Sequence, residues 1–266
     1  MRKEAFAARV WSKMRSLEKE RGFLVPGGRI LAAVSGGPDS VCLGHYLWSQ
    51  SRRRGFALFF VHFHHGLRGR AADADARLVL DLGKKWGVPT RVVSIPVAKA
   101  AARRGLGIEE AGRKLRYQAL AREAKRLGCG KAATAHHLDD QAESVLLSLL
   151  RGSRLEALAG IFPERPLSPG VKLIRPLLNL KKSEILEYLR FHDLKFRLDR
   201  TNASRRFTRN WVRQDVLPLL ERKNPRVRER LAAVADQVRH KFFNAAPPAP
   251  SRPRPKARAG SRCPKP

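Results

Sequence analysis

Short apolar runs recur along the chain at 29–34 (RILAAV), 57–63 (ALFFVHF), 90–95 (TRVVSI) and 131–135 (KAATA), each of strand length. Longer segments between them carry apolar residues at helical spacing and predict helices over 39–53, 73–87, 109–127 and 138–150. Each meets a helix-ending signal: Gly55, Gly87 with Pro89, Gly128 and Gly152. Ahead of the first strand, Phe6, Val10, Met14 and Leu17 fall on one helical face. Alternation of this kind predicts an α/β fold, a doubly wound and mostly parallel sheet with helices on both faces. Ligands in such sheets gather beyond the carboxyl ends of the strands.

The regular pattern dissolves over 152–180, which reads as a loop-rich connection with one strand, LIRPL, before a helix at 181–192. A loop-to-helix transition is expected near Arg209, and an amphipathic helix over 226–243. The expected organisation is an N-terminal helix (1–22), an α/β domain (23–220), a small helical extension (221–245) and a Pro/Arg/Lys-rich basic tail (246–266) whose composition predicts disorder.

Charge adds a partner class. Lys and Arg number 55 against 23 Asp and Glu, a formal charge of +32 that a polyanion such as nucleic acid would balance. A general bias toward arginine is the bland alternative; the tail supplies only a small part of the excess. Cys42, Cys129 and Cys263 lie too far apart for a Cys-x-x-Cys metal or redox site, which fits a reducing cytoplasm. No run has the length to span a bilayer, and acids interrupt the first 22 residues where a signal peptide would be apolar.

Candidate chemistry sits where strands hand over to helices. After the first strand comes SGGPDS, residues 35–40. Gly36 and Gly37 let the backbone approach a ligand, and Pro38 suits the first helical position, where its missing N–H costs nothing. The bared amides of that helix make an anion site, so Ser35, Gly36, Gly37, Pro38, Asp39 and Ser40 are read as a phosphate loop. A carboxylate beside phosphate calls for a divalent cation, which makes Asp39 a candidate magnesium ligand. No lysine follows the glycines, so this is not the GxxxxGK[ST] loop.

The second strand ends in VHFHHGLRG, whose adjacent histidines alternate faces and lack a carboxylate at ligand spacing; Arg68 is the candidate phosphate contact there. The fourth ends in AHHLDDQAES: Asp139, Asp140 and Glu143 fall in the first turns of the next helix, and Asp140 and Glu143 share a face. Helix capping explains one acid; together with His136 and His137 the set reads as a second magnesium site or a seat for a substrate ammonium. Arg113 and Arg116 share a helical face beside Tyr117, and Arg205, Arg206, Arg209 and Arg213 follow later, a combination suited to RNA phosphates and bases.

SGGPDS resembles the pyrophosphate loop of the N-type ATP pyrophosphatases, which split ATP between its α and β phosphates. Together SGGPDS, HHGLRG, EEAGRKLRYQAL, HHLDDQAES, LIRPLL and DRTNASRRFTRNWVR, in that order over about residues 28–220, look like the bacterial tRNA(Ile)-lysidine synthetases. Thiolating relatives carry SGGKDS-type loops and paired cysteines, where this chain has Pro38 and no Cys-x-x-Cys. The resemblance implies an adenine nucleotide alpha hydrolase-like fold. It also implies a ligase that uses ATP and Mg2+ to adenylate C2 of the wobble cytidine in the CAU-anticodon isoleucine tRNA, before free L-lysine displaces AMP.

Carried onto this sequence, Ser35 to Ser40 with His65 and Arg68 would bind ATP, and Asp39, with Asp140, would bind magnesium. His137, Asp140 and Glu143 would line the lysine or metal site, and Arg113, Arg116, Arg205, Arg209 and Arg213 would meet tRNA. Phe63, Arg70, Ser144 and Leu198 depart from the family's usual residues. The chain resembles the short forms, with the basic tail expected to stand in for a carboxyl-terminal tRNA-binding domain. Thiolation or amidation of another base by the same adenylation chemistry, and RNA binding without catalysis, are the competing readings.

Overall fold

Six strands form one sheet in the order β3-β2-β1-β4-β6-β5. They are β1 (Arg29–Ala33), β2 (Ala57–His64), β3 (Thr90–Ser94), β4 (Lys131–Ala133), β5 (Glu164–Ser168) and β6 (Val171–Ile174). The computed structural model describes residues 2–66, 69–105, 107–152, 154–198 and 208–243. All neighbouring strands run parallel except the β5–β6 pair at the edge. From β1 the chain builds outward through β2 and β3, then returns to lay β4 on the other side of β1. The reversal lies between β1 and β4, the position where doubly wound sheets open a crevice at their carboxyl edge.

Strand alternation divides the core in two. Ile30, Ala32, Leu58, Phe60, Ala133 and Ile174 face one cluster, while Leu31, Val61, Phe63, Ala132 and Leu173 face the other. On the first face pack α1 (Arg2–Arg21), α2 (Pro38–Arg54), α3 (Arg70–Trp86) and α7 (Lys182–Phe191), through residues such as Met14, Tyr46, Trp86 and Tyr188. The second is covered by α4 (Val97–Arg104) and α5 (Ile108–Arg126), through Val97, Ala101, Ala119 and Leu120. Burial on both sides explains why β1 reads as a continuous apolar run. The predicted face of α1 is confirmed: Val10, Met14 and Leu17 are buried, and Glu18 grips Arg54 of α2 through two hydrogen bonds of 2.7 and 2.6 Å.

Past the sheet, α6 (Leu138–Leu150) packs against α10 (Val227–Phe243), with a 3-10 turn at Leu155–Ala159 between them. A short α8 (Thr208–Trp211) runs through a π-helical turn, Val212–Val216, into α9 (Leu217–Lys223). Val212 and Leu217 insert beside Ala142 and Leu147 of α6. Among the described residues, no helix is long and apolar enough to cross a membrane.

Two elements were not expected. The sequence predicts a single strand at LIRPL, whereas the structure forms a hairpin whose strands β5 and β6 flank Pro169-Gly170, with the strand itself at Val171–Ile174. Pro166 is tolerated because β5 is an edge strand, and the register shifts beside it. Helix α4 occupies the stretch between Pro96 and Gly105, and Gly105 ends it in the left-handed conformation.

Candidate active site

The loops leaving β1 and β4 face each other across a cavity of about 370 Å3. Ala33 to Ser35, Gly37, Asp39 and Ser40 form one wall, and Thr134 to His136 with Asp140 another. His65, from the end of β2, Arg113, Arg116 and Tyr117 from α5, and Arg209, Asn210 and Arg213 complete it. Of the predicted residues, Arg68, Arg205 and Arg206 lie outside the described residues.

The β1 loop is fastened by its own hydroxyls. Ser35 N–H donates to Ser40 Oγ (3.0 Å), Ser40 Oγ donates to the Gly37 carbonyl (2.9 Å), and the two hydroxyls lie 3.1 Å apart. Gly36 adopts φ +88°, which an L side chain rarely accepts, and its carbonyl accepts a hydrogen bond from Arg197 N–H (3.0 Å). Pro38 opens α2, and Gly37 at the N-cap has no side chain to cap the first amides. An uncapped helix N-terminus reached through a tight glycine turn is a seat for an anion.

The opposite wall is a dense charge cluster built on the first turns of α6. His137 Nε2 lies 3.8 Å from Asp39 Oδ1 and 3.5 Å from Asp140 Oδ2, and its Nδ1 lies 3.4 Å from Asp139 Oδ2. Burial opposes a charge on this imidazole, but Asp140, Asp139 and Asp39 outweigh it and raise its pKa. Asp140 would be pushed up by burial, yet His137, His136 and Arg209 hold it well below the usual carboxylate range.

Glu143 is fully buried beneath two guanidinium groups. Arg209 Nε donates to Oε2 at 2.9 Å, and Arg213 donates Nε to Oε1 at 2.6 Å and Nη2 to Oε2 at 3.0 Å. Both arginines also reach Asp140 Oδ1, at 3.3 and 3.2 Å. Arg209 and Arg213, expected as tRNA contacts, therefore belong to the Asp140–Glu143 cluster, with Arg213 the more exposed.

His136 takes a different role from its neighbour. Its Nδ1 lies 3.3 Å from Arg175 Nε, an obligatory donor, so Nδ1 is the acceptor and the ring is neutral with its proton on Nε2. Burial, then the adjacent Arg175, push its pKa down to about 3. Across the cavity, the guanidinium groups of Arg113 and Arg165 stand 5.4 and 5.1 Å from the Tyr117 ring centre.

The expectations for magnesium meet a specific donor set. Magnesium is held by one or two carboxylates together with substrate oxygens. Asp39, on the cavity wall and partly exposed, fits that use. Asp140 has Oδ1 between two guanidinium groups and Oδ2 on the His137 amide (3.1 Å), an anchor for cations already present. Among the described residues, no group of three or more His, Cys, Asp or Glu side chains could hold a metal ion by itself.

Sequence reasoning missed Lys182, whose Nζ donates to Asp39 Oδ1 at 2.5 Å. Also missed was Arg228, in the first turn of α10, whose Nη1 pairs with Asp139 Oδ1 at 2.8 Å. Lys182 left one signal: lysines at 181 and 182 open α7, the end of a helix that disfavours cations.

Comparison with known proteins agrees with this architecture. The chain is 42% identical over 228 residues to the tRNA(Ile)-lysidine synthase of Symbiobacterium thermophilum, covering 85% of this chain and 47% of that protein. It is 40% identical over 221 residues to the tRNA(Ile)-lysidine synthase of Dehalococcoides mccartyi, covering 82% of this chain and 47% of that protein. The chain thus spans about half the length of the curated relatives it matches. A solved structure, the U34-tRNA thiolase NcsA of Methanococcus maripaludis with its [4Fe-4S] cluster, superposes with a TM-score of 0.75 over 89% of this chain and 81% of that one. At 20% identity that likeness is one of fold. Residues 8–220 match the PP-loop domain, and with the glycine turn, the strand reversal and the facing acidic helix all in that stretch, the chain belongs to the PP-loop domain family.

Proposed function

We propose that this chain is a tRNA(Ile)-lysidine synthase. In this reading it uses ATP to adenylate C2 of the wobble cytidine in the CAU-anticodon isoleucine tRNA. The ε-amine of free L-lysine then displaces AMP, giving lysidine, AMP and pyrophosphate. The observation that carries the reading is the pairing, across one cavity, of the SGGPDS helix terminus with the Asp140–Glu143–Arg209–Arg213 cluster, in a chain this similar to proteins of that name.

Each wall suits one reactant. The amides of the first α2 turn, with the glycines of the loop, would receive the phosphates of ATP, and His65 lies beside them on the cavity wall. Magnesium would supply neutralisation of the departing pyrophosphate, and Asp39 is the carboxylate that would hold it. Arg209 and Arg213 line the cavity while Asp140 and Glu143 hold them in place, so their guanidinium groups would receive the carboxylate of the amino acid. Arg113 and Arg116, with Tyr117, offer phosphate contact and stacking for tRNA at the cavity rim.

Thiolation is disfavoured by the cysteines: the sequence has no Cys-x-x-Cys, and among the described residues Cys42 and Cys129 are both buried and form no disulfide, on α2 and before β4. The test is an incubation with labelled lysine, ATP and the isoleucine tRNA. Label is expected in tRNA only when all components are present. ATP–pyrophosphate exchange without label transfer would overturn the lysine assignment while leaving adenylation intact.

A further inference from the structure

SGGPDS lacks the lysine that other phosphate loops use to grip the terminal phosphates, and a lone helix terminus leaves that charge unmatched. Lys182 brings an ammonium to the same place from far along the chain, 2.5 Å from Asp39 Oδ1 and 143 residues away in sequence. Its backbone is held on rigid elements. Lys182 N–H donates to Asp139 Oδ2 at 2.8 Å, Leu138 N–H donates to the Leu180 carbonyl at 2.8 Å, and Lys181 N–H donates to Glu184 Oε2 at 2.9 Å. The α7 start is thereby stitched to the α6 start, and Lys182 is aimed across the gap at the first turn of α2.

Stability does not account for this arrangement. A lysine in the first turn of a helix opposes the helix dipole, and a pair with both side chains about a third exposed returns little in water. An ammonium has three donors, so it can keep Asp39 and still give hydrogen bonds to phosphate oxygens. We propose that Lys182 is the phosphate-binding cation of this PP-loop, supplied from far along the same chain by the N-terminus of α7, and that it grips the pyrophosphate portion of the nucleotide. The proposal rests on the ATP-using reading above.

The experiment measures binding of pyrophosphate, ATP and AMP to the full chain by isothermal titration calorimetry in magnesium buffer, for the wild type, Lys182→Met and Lys182→Arg, with melting curves alongside. Loss of one charged hydrogen bond predicts that Lys182→Met weakens pyrophosphate and ATP by about tenfold or more, with AMP affinity and melting temperature nearly unchanged. Lys182→Arg, which keeps the charge, is expected to recover part of the pyrophosphate affinity. The proposal is overturned if Lys182→Met binds pyrophosphate as the wild type does, if AMP weakens in parallel, or if the arginine variant recovers nothing. A wild type that binds neither pyrophosphate nor ATP overturns the ATP-using reading itself, an outcome distinct from those three.

Discussion

His137 and Asp140 illustrate what single residues contribute here and how that contribution depends on pH. Asp140 has its pKa depressed in the folded state, so the stability it provides is present above the ordinary carboxylate value of about 3.9 and is lost as pH falls through it toward the folded value. His137 has its pKa raised, so its contribution is complete below the ordinary value of about 6.5 and fades as pH rises through the folded value. Urea denaturation across pH is expected to show both flanks. Asp140→Asn should flatten the acidic one and His137→Gln the alkaline one; unchanged flanks in either variant would disprove the assignment. The local residues of this site were legible because a glycine turn and a row of acids at a helix start carry their chemistry in consecutive positions. Lys182, Arg197 and Arg228 were not, since each meets its partner only after the sheet has folded: Arg197 reaches Asp75 at 2.6 Å across 122 residues.

At the level of elements, β1 is the piece on which the arrangement turns. It is the strand shared by the β2 and β4 pairs, and its side chains alternate between the two halves of the core. Leu31, fully buried against the α5 side, should cost about 2–5 kcal/mol when replaced by alanine, read from the denaturation midpoint. A loss below about 1 kcal/mol would mean that the second cluster closes over the gap. The parallel strands and their long helices were readable because period-2 and period-3.6 patterns do not overlap there. The β5–β6 hairpin escaped because Pro166 argues against a strand, a rule that relaxes at a sheet edge. In α8 and the π-turn, the i,i+4 spacing of Arg209 and Arg213 was visible, but that both would turn inward onto Glu143 depended on Val212 and Leu217 docking on α6.

For the molecule as a whole, a net charge of +32 would tie the proposed affinity for RNA to ionic strength. On the proposed function, binding of the isoleucine tRNA should weaken by about a thousandfold between about 50 and about 200 mM salt if some six phosphates are neutralised, in a filter-binding or anisotropy titration. Deleting residues 246–266 should shallow that slope while leaving nucleotide affinity unchanged; an identical slope would exclude the tail from the interface. Composition points to a polyanionic partner and says nothing of a path for RNA across the surface, because charge counts carry no geometry.

The first turn of α10 ties the far end of the chain to the site. Arg228 there neutralises Asp139, and Glu229 pairs with Lys181, so both approaches to Asp39 are braced by a helix that begins beyond residue 220, where the recognised domain stops. A fragment trimmed to the homologous boundary would keep every motif and still lose the struts that aim them. Expression work on this protein should therefore keep α10 through Phe243.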